Sequence, residues 1–139
     1  MTQEDKELLL KDLCARLPYG VKVLVDNKHW IDFDGRTPSK LTFDNSYRLL
    51  YVGTDLGYVK PYLFPLSRLN SLTDEQKKTL KVLCDWNDEE ADAQSILVLY
   101  QKHFVMKSDV IDWLHKNHFD YRGLIEKGLA IDATGLNIY

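Results

Sequence analysis

The chain carries two cysteines among 139 residues, and that scarcity already limits what it can be. Small secreted domains that rely on disulfide staples carry more, so free thiols at Cys14 and Cys84 in a reducing compartment are expected over a bond between them. Neither cysteine has a nearby histidine or a Cys-x-x-Cys partner, which leaves thiol chemistry without support. No apolar run approaches the roughly 20 residues of a membrane-spanning helix, and the charged start Met1–Glu7 has no signal core behind it. Lysine and arginine form no cluster, and the net charge is −3. A nucleic-acid partner is therefore disfavoured, because phosphate recognition needs a concentrated basic face. These absences predict a cytoplasmic protein with no membrane partner.

The familiar catalytic and cofactor signatures are missing too. There is no G-x-S-x-G serine and no cofactor fingerprint. Gly123 and Gly128 have phosphate-loop spacing, but Leu129-Ala130 follows where Lys-Ser/Thr belongs. Asp85–Glu90 opens like a calcium loop, yet Glu90 stands where glycine is required and Ile96 where a bidentate glutamate belongs. The reading is no cofactor and no metal.

What is present is an ordinary globular composition, 45% hydrophobic and 28% charged, in a chain long enough to bury a core. Thr2 and Asp5 resemble a capping box opening a helix over Gln3–Leu17, with Leu9, Leu10, Leu13 and Leu17 on its apolar stripe. Pro18-Tyr19-Gly20 ends it. From 19 to 66 the period changes to two. Val21–Val25, His29–Phe33, Leu41–Phe43, Tyr47–Val52 and Tyr58–Leu63 read as short strands of an antiparallel meander, bent or closed as a small SH3-like barrel. Pro61 and Pro65 place the Tyr58–Leu66 segment at a sheet edge or leaving it.

Residues 71–139 read as mainly helical. Thr73 and Gln76 form a capping box for a helix to about Asp85. Ala93–Met106 fits a helix or a buried strand, with helix preferred. Ser108 caps a helix over Asp109–Asn117, a turn over Tyr121–Lys127 closes at Gly128, and Leu129–Ile131 forms a last strand. The fold class is α+β in a single domain over 1–139: an N-terminal helix (1–18), a bent antiparallel sheet or barrel (19–66) and a helical C-terminal half (71–139).

Two groups of residues are candidates for a site. His115, His118, Asp120 and Arg122 fall close together, and a hydrolase or nuclease-like enzyme would use a histidine as base and Arg122 to hold an anion. Asp109, Asp112, His115 and His118 recur every three residues, drifting around a helix by about 60° per step, so they do not converge on one ion. The architectural reading is favoured: His115 pairs with Asp112, His118 bonds the chain reversal, Asp120 caps the following turn, and Arg122 forks onto a carboxylate or carbonyls.

The second group is aromatic. Nine of the sixteen aromatic residues lie between Tyr19 and Phe64. Most fill the sheet, and Tyr47, Tyr51, Tyr58, Tyr62 and Phe64 are candidates for a face that binds a protein or peptide. An interaction module is thus the leading functional expectation, ahead of the hydrolase and of a homo-oligomer pairing through an exposed sheet edge.

Three segments, Lys6–Val21, Val59–Ser67 and Asn117–Ile125, resemble a group of small uncharacterised proteins from gut anaerobic bacteria and their phages or mobile elements. They cover about a quarter of the chain. The resemblance implies no activity. It implies a stand-alone accessory protein carried by a mobile element.

Overall fold

The computed structural model describes residues 2–25, 38–42, 59–86 and 91–139. The expected strands His29–Phe33 and Tyr47–Val52, and the candidates Tyr47, Tyr51 and Tyr58, lie outside these residues.

Helix α1 spans Gln3–Arg16, opened by the Thr2–Asp5 capping box and followed by a 3-10 turn over Leu17–Tyr19. Gly20 ends that turn at φ +77°, a left-handed conformation natural to glycine. The buried stripe of α1 is Leu9, Asp12, Leu13 and Arg16, with Leu10 and Leu17 only half-buried. The helix is thus rotated from its leucine-only reading. Asp12 and Arg16 occupy the i+3 and i+7 positions counted from Leu9, on the core-facing side.

Strands β1 (Lys22–Val25), β2 (Ser39–Lys40), β3 (Val59–Leu63) and β4 (Ile131–Asp132) form one sheet in the order β2-β1-β3-β4. β1 pairs antiparallel with β2 and β3, while β3 pairs parallel with β4. The sheet is therefore mixed and, among the described residues, open. A purely antiparallel meander and a closed barrel are both corrected by β4, which returns from the helical half as a parallel partner. β2 begins before the expected Leu41–Phe43 run, and the Leu41 N–H extends the pairing onto the Val21 carbonyl.

β3 lies inside the sheet, not at its edge, and Pro61 still fits. The Leu63 carbonyl accepts from Ala133 on the β4 side. Alternation along a strand points the Pro61 nitrogen to that same side, one residue before the β4 pairing begins at Tyr62. No ladder bond is lost.

The C-terminal half contains α2 (Asp74–Leu83), α3 (Ala93–His103) and α4 (Ser108–Lys116), preceded by a 3-10 segment over Leu66–Ser71. The Thr73–Gln76 capping box starts α2, and Asp92 caps α3 by accepting from the Ser95 N–H. The 93–106 region is thus helical to His103. Ser108 does not cap α4: Lys107 holds the cap position, and its carbonyl accepts from Val110 and Ile111. Among the described residues no helix is long and apolar enough to cross a membrane.

Two apolar clusters result. Leu9 and Leu13 of α1 pack on Val23, Val25, Val59 and Leu63 of the sheet, and Leu80, Ile96, Leu97, Leu114 and Phe119 build the helical core. A small device closes the sheet between them. Continuing the β1–β3 register places Lys22 opposite Tyr62. There the Tyr139 hydroxyl accepts from the Lys22 N–H (2.9 Å) and donates to the Tyr62 carbonyl (2.7 Å). Tyr139→Phe leaves both backbone groups without that partner, at an expected cost of about 1–3 kcal/mol. Urea unfolding checks the cost, and faster hydrogen exchange at the Lys22 amide localises it.

Candidate functional site

The side chains that come closest to a reactive constellation surround the end of α1. Arg16, 0% exposed, donates from Nε to Asp12 Oδ2 (2.8 Å) and from Nη2 to the Phe119 carbonyl (2.6 Å). Asp12, also 0% exposed, receives Arg122 Nε on its other oxygen at 3.1 Å. Arg122 Nη2 then donates to the Tyr121 hydroxyl (3.0 Å), and that hydroxyl lies 2.7 Å from His115 Nε2. Tyr19 packs its ring on His115 at 5.7 Å and gives its hydroxyl to Asp112 Oδ1 at 2.7 Å.

The electrostatics follow from burial. His115 is pushed down to about 4, first by desolvation and then by the Arg16 and Arg122 guanidiniums. His118 is likewise pushed to about 4 by burial, with Arg16 and Lys22 adding to the effect. Burial raises the Tyr121 phenol. Two guanidiniums share one carboxylate, and Arg16 Nη1 has no partner among the described residues. Protonating either imidazole would add a further positive charge here.

The four catalytic candidates do not converge. His115 is buried against Tyr121; it is not a surface residue paired with Asp112, because Tyr19 takes Asp112. His118 adopts φ +62° and stacks on Tyr139 at 3.6 Å. Its backbone carbonyl accepts from Phe64, while its Nδ1 is buried without a partner, so the expected side-chain bond to the reversal is absent. Asp120 caps as expected, accepting from the Leu124 N–H (3.0 Å) and the Ile125 N–H (2.9 Å). Arg122 reaches a carboxylate, giving its Nε to Asp12 and its Nη2 to the Tyr121 hydroxyl. Each group that could act on a substrate already holds a protein partner or is packed away. The cluster is a lock between α1 and the 115–125 segment.

Comparison with protein-family models, curated proteins and solved structures returns no match. Function therefore has to be argued from this surface alone. Among the described residues no group of three or more His, Cys, Asp or Glu side chains gathers to hold a metal ion.

Tyr62, 6% exposed, belongs to the core and offers no platform, which corrects its assignment to a binding face. Phe64 is half-buried and borders a cleft of about 410 Å³ with Arg68, Thr134 and Tyr139. A second cleft, about 370 Å³, lies where the end of α2 meets the α3–α4 connection, lined by Trp86, Tyr100, Phe104, Val105 and the Asp85–Lys107 ion pair. Phe104 stacks on Tyr100 at 5.8 Å and is 61% exposed; Val105 is 94% exposed. Burial raises the Cys84 thiol beside this cleft to about 11, with Asp85 adding to the effect, so the thiol is inert. Both cysteines are free. The sequence signal for the second cleft was the Phe104-Val105-Met106 run, which outlasts the apolar stripe of α3.

Proposed function

We propose that the protein is a non-enzymatic module that binds a segment of another protein through the apolar cleft at Trp86, Tyr100, Phe104 and Val105. One observation carries this reading: two large apolar side chains stand in solvent beside a concave apolar surface. Exposed apolar patches of that kind mark interaction sites, and aromatic residues dominate their binding energy. Val98 and Leu99, 46% and 40% exposed on α3, add to the apolar surface of the neighbouring helix. Among the described residues the charges lining the cleft are Asp85 and Lys107, which pair with each other, so the matching partner surface there is apolar. The contacts that occupy His115, Asp120 and Arg122 favour binding over catalysis. On the resemblance of the three segments alone, we place the module among cytoplasmic accessory proteins of mobile elements.

A displayed peptide library selected on the full chain tests this. Enriched peptides should share an aromatic or branched apolar anchor. Val105→Asp should weaken them at least about tenfold without lowering the melting temperature, because it places an unpaired charge against a desolvated anchor. Enriched peptides that bind the Val105→Asp and Phe104→Ala variants as well as the parent would remove this cleft as the site. Concentration-dependent self-association abolished by Val105→Asp would make a second copy the occupant and replace the reading.

A further inference from the structure

Arg16 and Arg122 each find Asp12, but among the described residues Arg68 finds no carboxylate. It extends from the 3-10 segment over Leu66–Ser71 and lays its guanidinium 3.8 Å from the centre of the Phe64 ring. Among the described residues its side chain makes no hydrogen bond and no ion pair. The guanidinium centre sits close over the ring, and among the described residues its N–H donors are unused.

The ring beneath it is fixed. Phe64 donates its N–H to the His118 carbonyl and accepts from the Asp120 N–H, both at 2.8 Å. Its ring meets Phe119 at 6.3 Å and the edge of Tyr139 at 5.8 Å. Arg68 thus rests on a ring that is tied to the 118–120 backbone and packed against Phe119 and Tyr139. The cleft around it, about 410 Å³, gathers further donors from Ser71 and from the 134–139 stretch. The Thr134 N–H is spent on Asp132 Oδ1, but the Thr134 hydroxyl is open, and the Gly135 and Asn137 amides meet no acceptor among the described residues. Open donors thus stand beside an aromatic floor.

We infer that this cleft is an oxyanion site. Arg68 takes a carboxylate or phosphate oxygen pair on its fork, Ser71 and Thr134 add hydroxyl donors, and the Phe64 and Tyr139 rings accommodate an apolar or aromatic body attached to the acid. The site is independent of the apolar cleft at Val105, and neither reading requires the other.

Amide and arginine-Nε NMR spectra of the full chain, titrated separately with benzoate and with inorganic phosphate, test the inference. Saturable shifts should centre on Arg68, Ser71 and residues 134–139, with a dissociation constant in about the millimolar range or tighter. Saturation by benzoate alone assigns the site to carboxylic acids, by phosphate alone to phosphorylated compounds, and by both to the shared oxyanion. Arg68→Gln should weaken binding at least about tenfold, the loss expected for a charge-assisted hydrogen bond. Arg68→Lys, which keeps the charge without the planar fork, should also weaken it, and it serves as the test should the glutamine variant lose its dispersed spectrum. Shifts that stay linear to high ligand concentration, or an affinity unchanged in both variants, would overturn the inference.

Discussion

Asp12→Ala should melt on the order of 10 °C below the parent protein, from a loss of about 3–5 kcal/mol. The carboxylate it removes is fully buried and receives two guanidinium Nε groups, at 2.8 and 3.1 Å. Arg122, whose side chain is 18% exposed, can turn to water. Arg16, at 0%, cannot, and it keeps only the Phe119 carbonyl. An unpaired buried charge is the costly product, more so than the missing bond itself. The double replacement Asp12→Leu with Arg16→Met removes that charge along with its partner, so it should recover at least half of the loss. It stays short of the parent because the Phe119 carbonyl loses its donor, worth about 1–3 kcal/mol. Calorimetric melting of the three proteins checks the ordering. A single variant within about 1 kcal/mol of the parent, less than a typical core change, would show that Arg16 reaches solvent after all.

Acid should destabilise the fold over a defined window. The imidazoles of His115 and His118 are held at about 4 in the native protein, against about 6.5 in the unfolded chain. Above pH 6.5 both states carry neutral rings, and this contribution is complete. Below 6.5 the unfolded chain takes up protons that the native protein refuses, so stability falls with pH until about 4 and then levels. Each ring contributes a slope approaching about 1.4 kcal/mol per pH unit, and the pair about 5 kcal/mol in total after allowing for the partial exposure of His118. That is comparable with the whole stability of a modest domain, about 5–15 kcal/mol. Urea midpoints measured from pH 7 to pH 4 should therefore drop steeply. His118→Asn, which keeps a residue tolerant of positive φ, should remove about half of the drop. A flat profile would mean that both rings accept protons without leaving their packing.

Local rules reached much of this architecture. The capping boxes at Thr2 and Thr73, the helical outcome for Ala93–His103, the Asp120 cap and the Arg122–carboxylate contact all depend on residues a few positions apart or on a single side chain's geometry. The long-range arrangement escaped. Pro61 looked like an edge marker because proline lacks a donor, but its position inside the sheet is decided by where β4 begins, some seventy residues later. Asp12 and Arg16 were not among the residues singled out from the sequence. Their phase with Leu9 and Leu13 was the available clue. Arg68 and Tyr139 carried no signal at all, since their roles arise from tertiary contacts with Phe64 and with the β1–β3 ladder. Within the His115–Arg122 cluster the Asp120 cap was legible, while the partners of His115 and the anchor on α1 were not.

The Arg16–Phe119 hydrogen bond joins residues 103 positions apart. It can form only after the intervening chain has been gathered, and contacts of such sequence separation slow the search for the native state. The same lateness protects the finished fold. Interactions absent from the transition state act on the escape rate, so this bond should lengthen the lifetime of the folded molecule more than it hastens its formation.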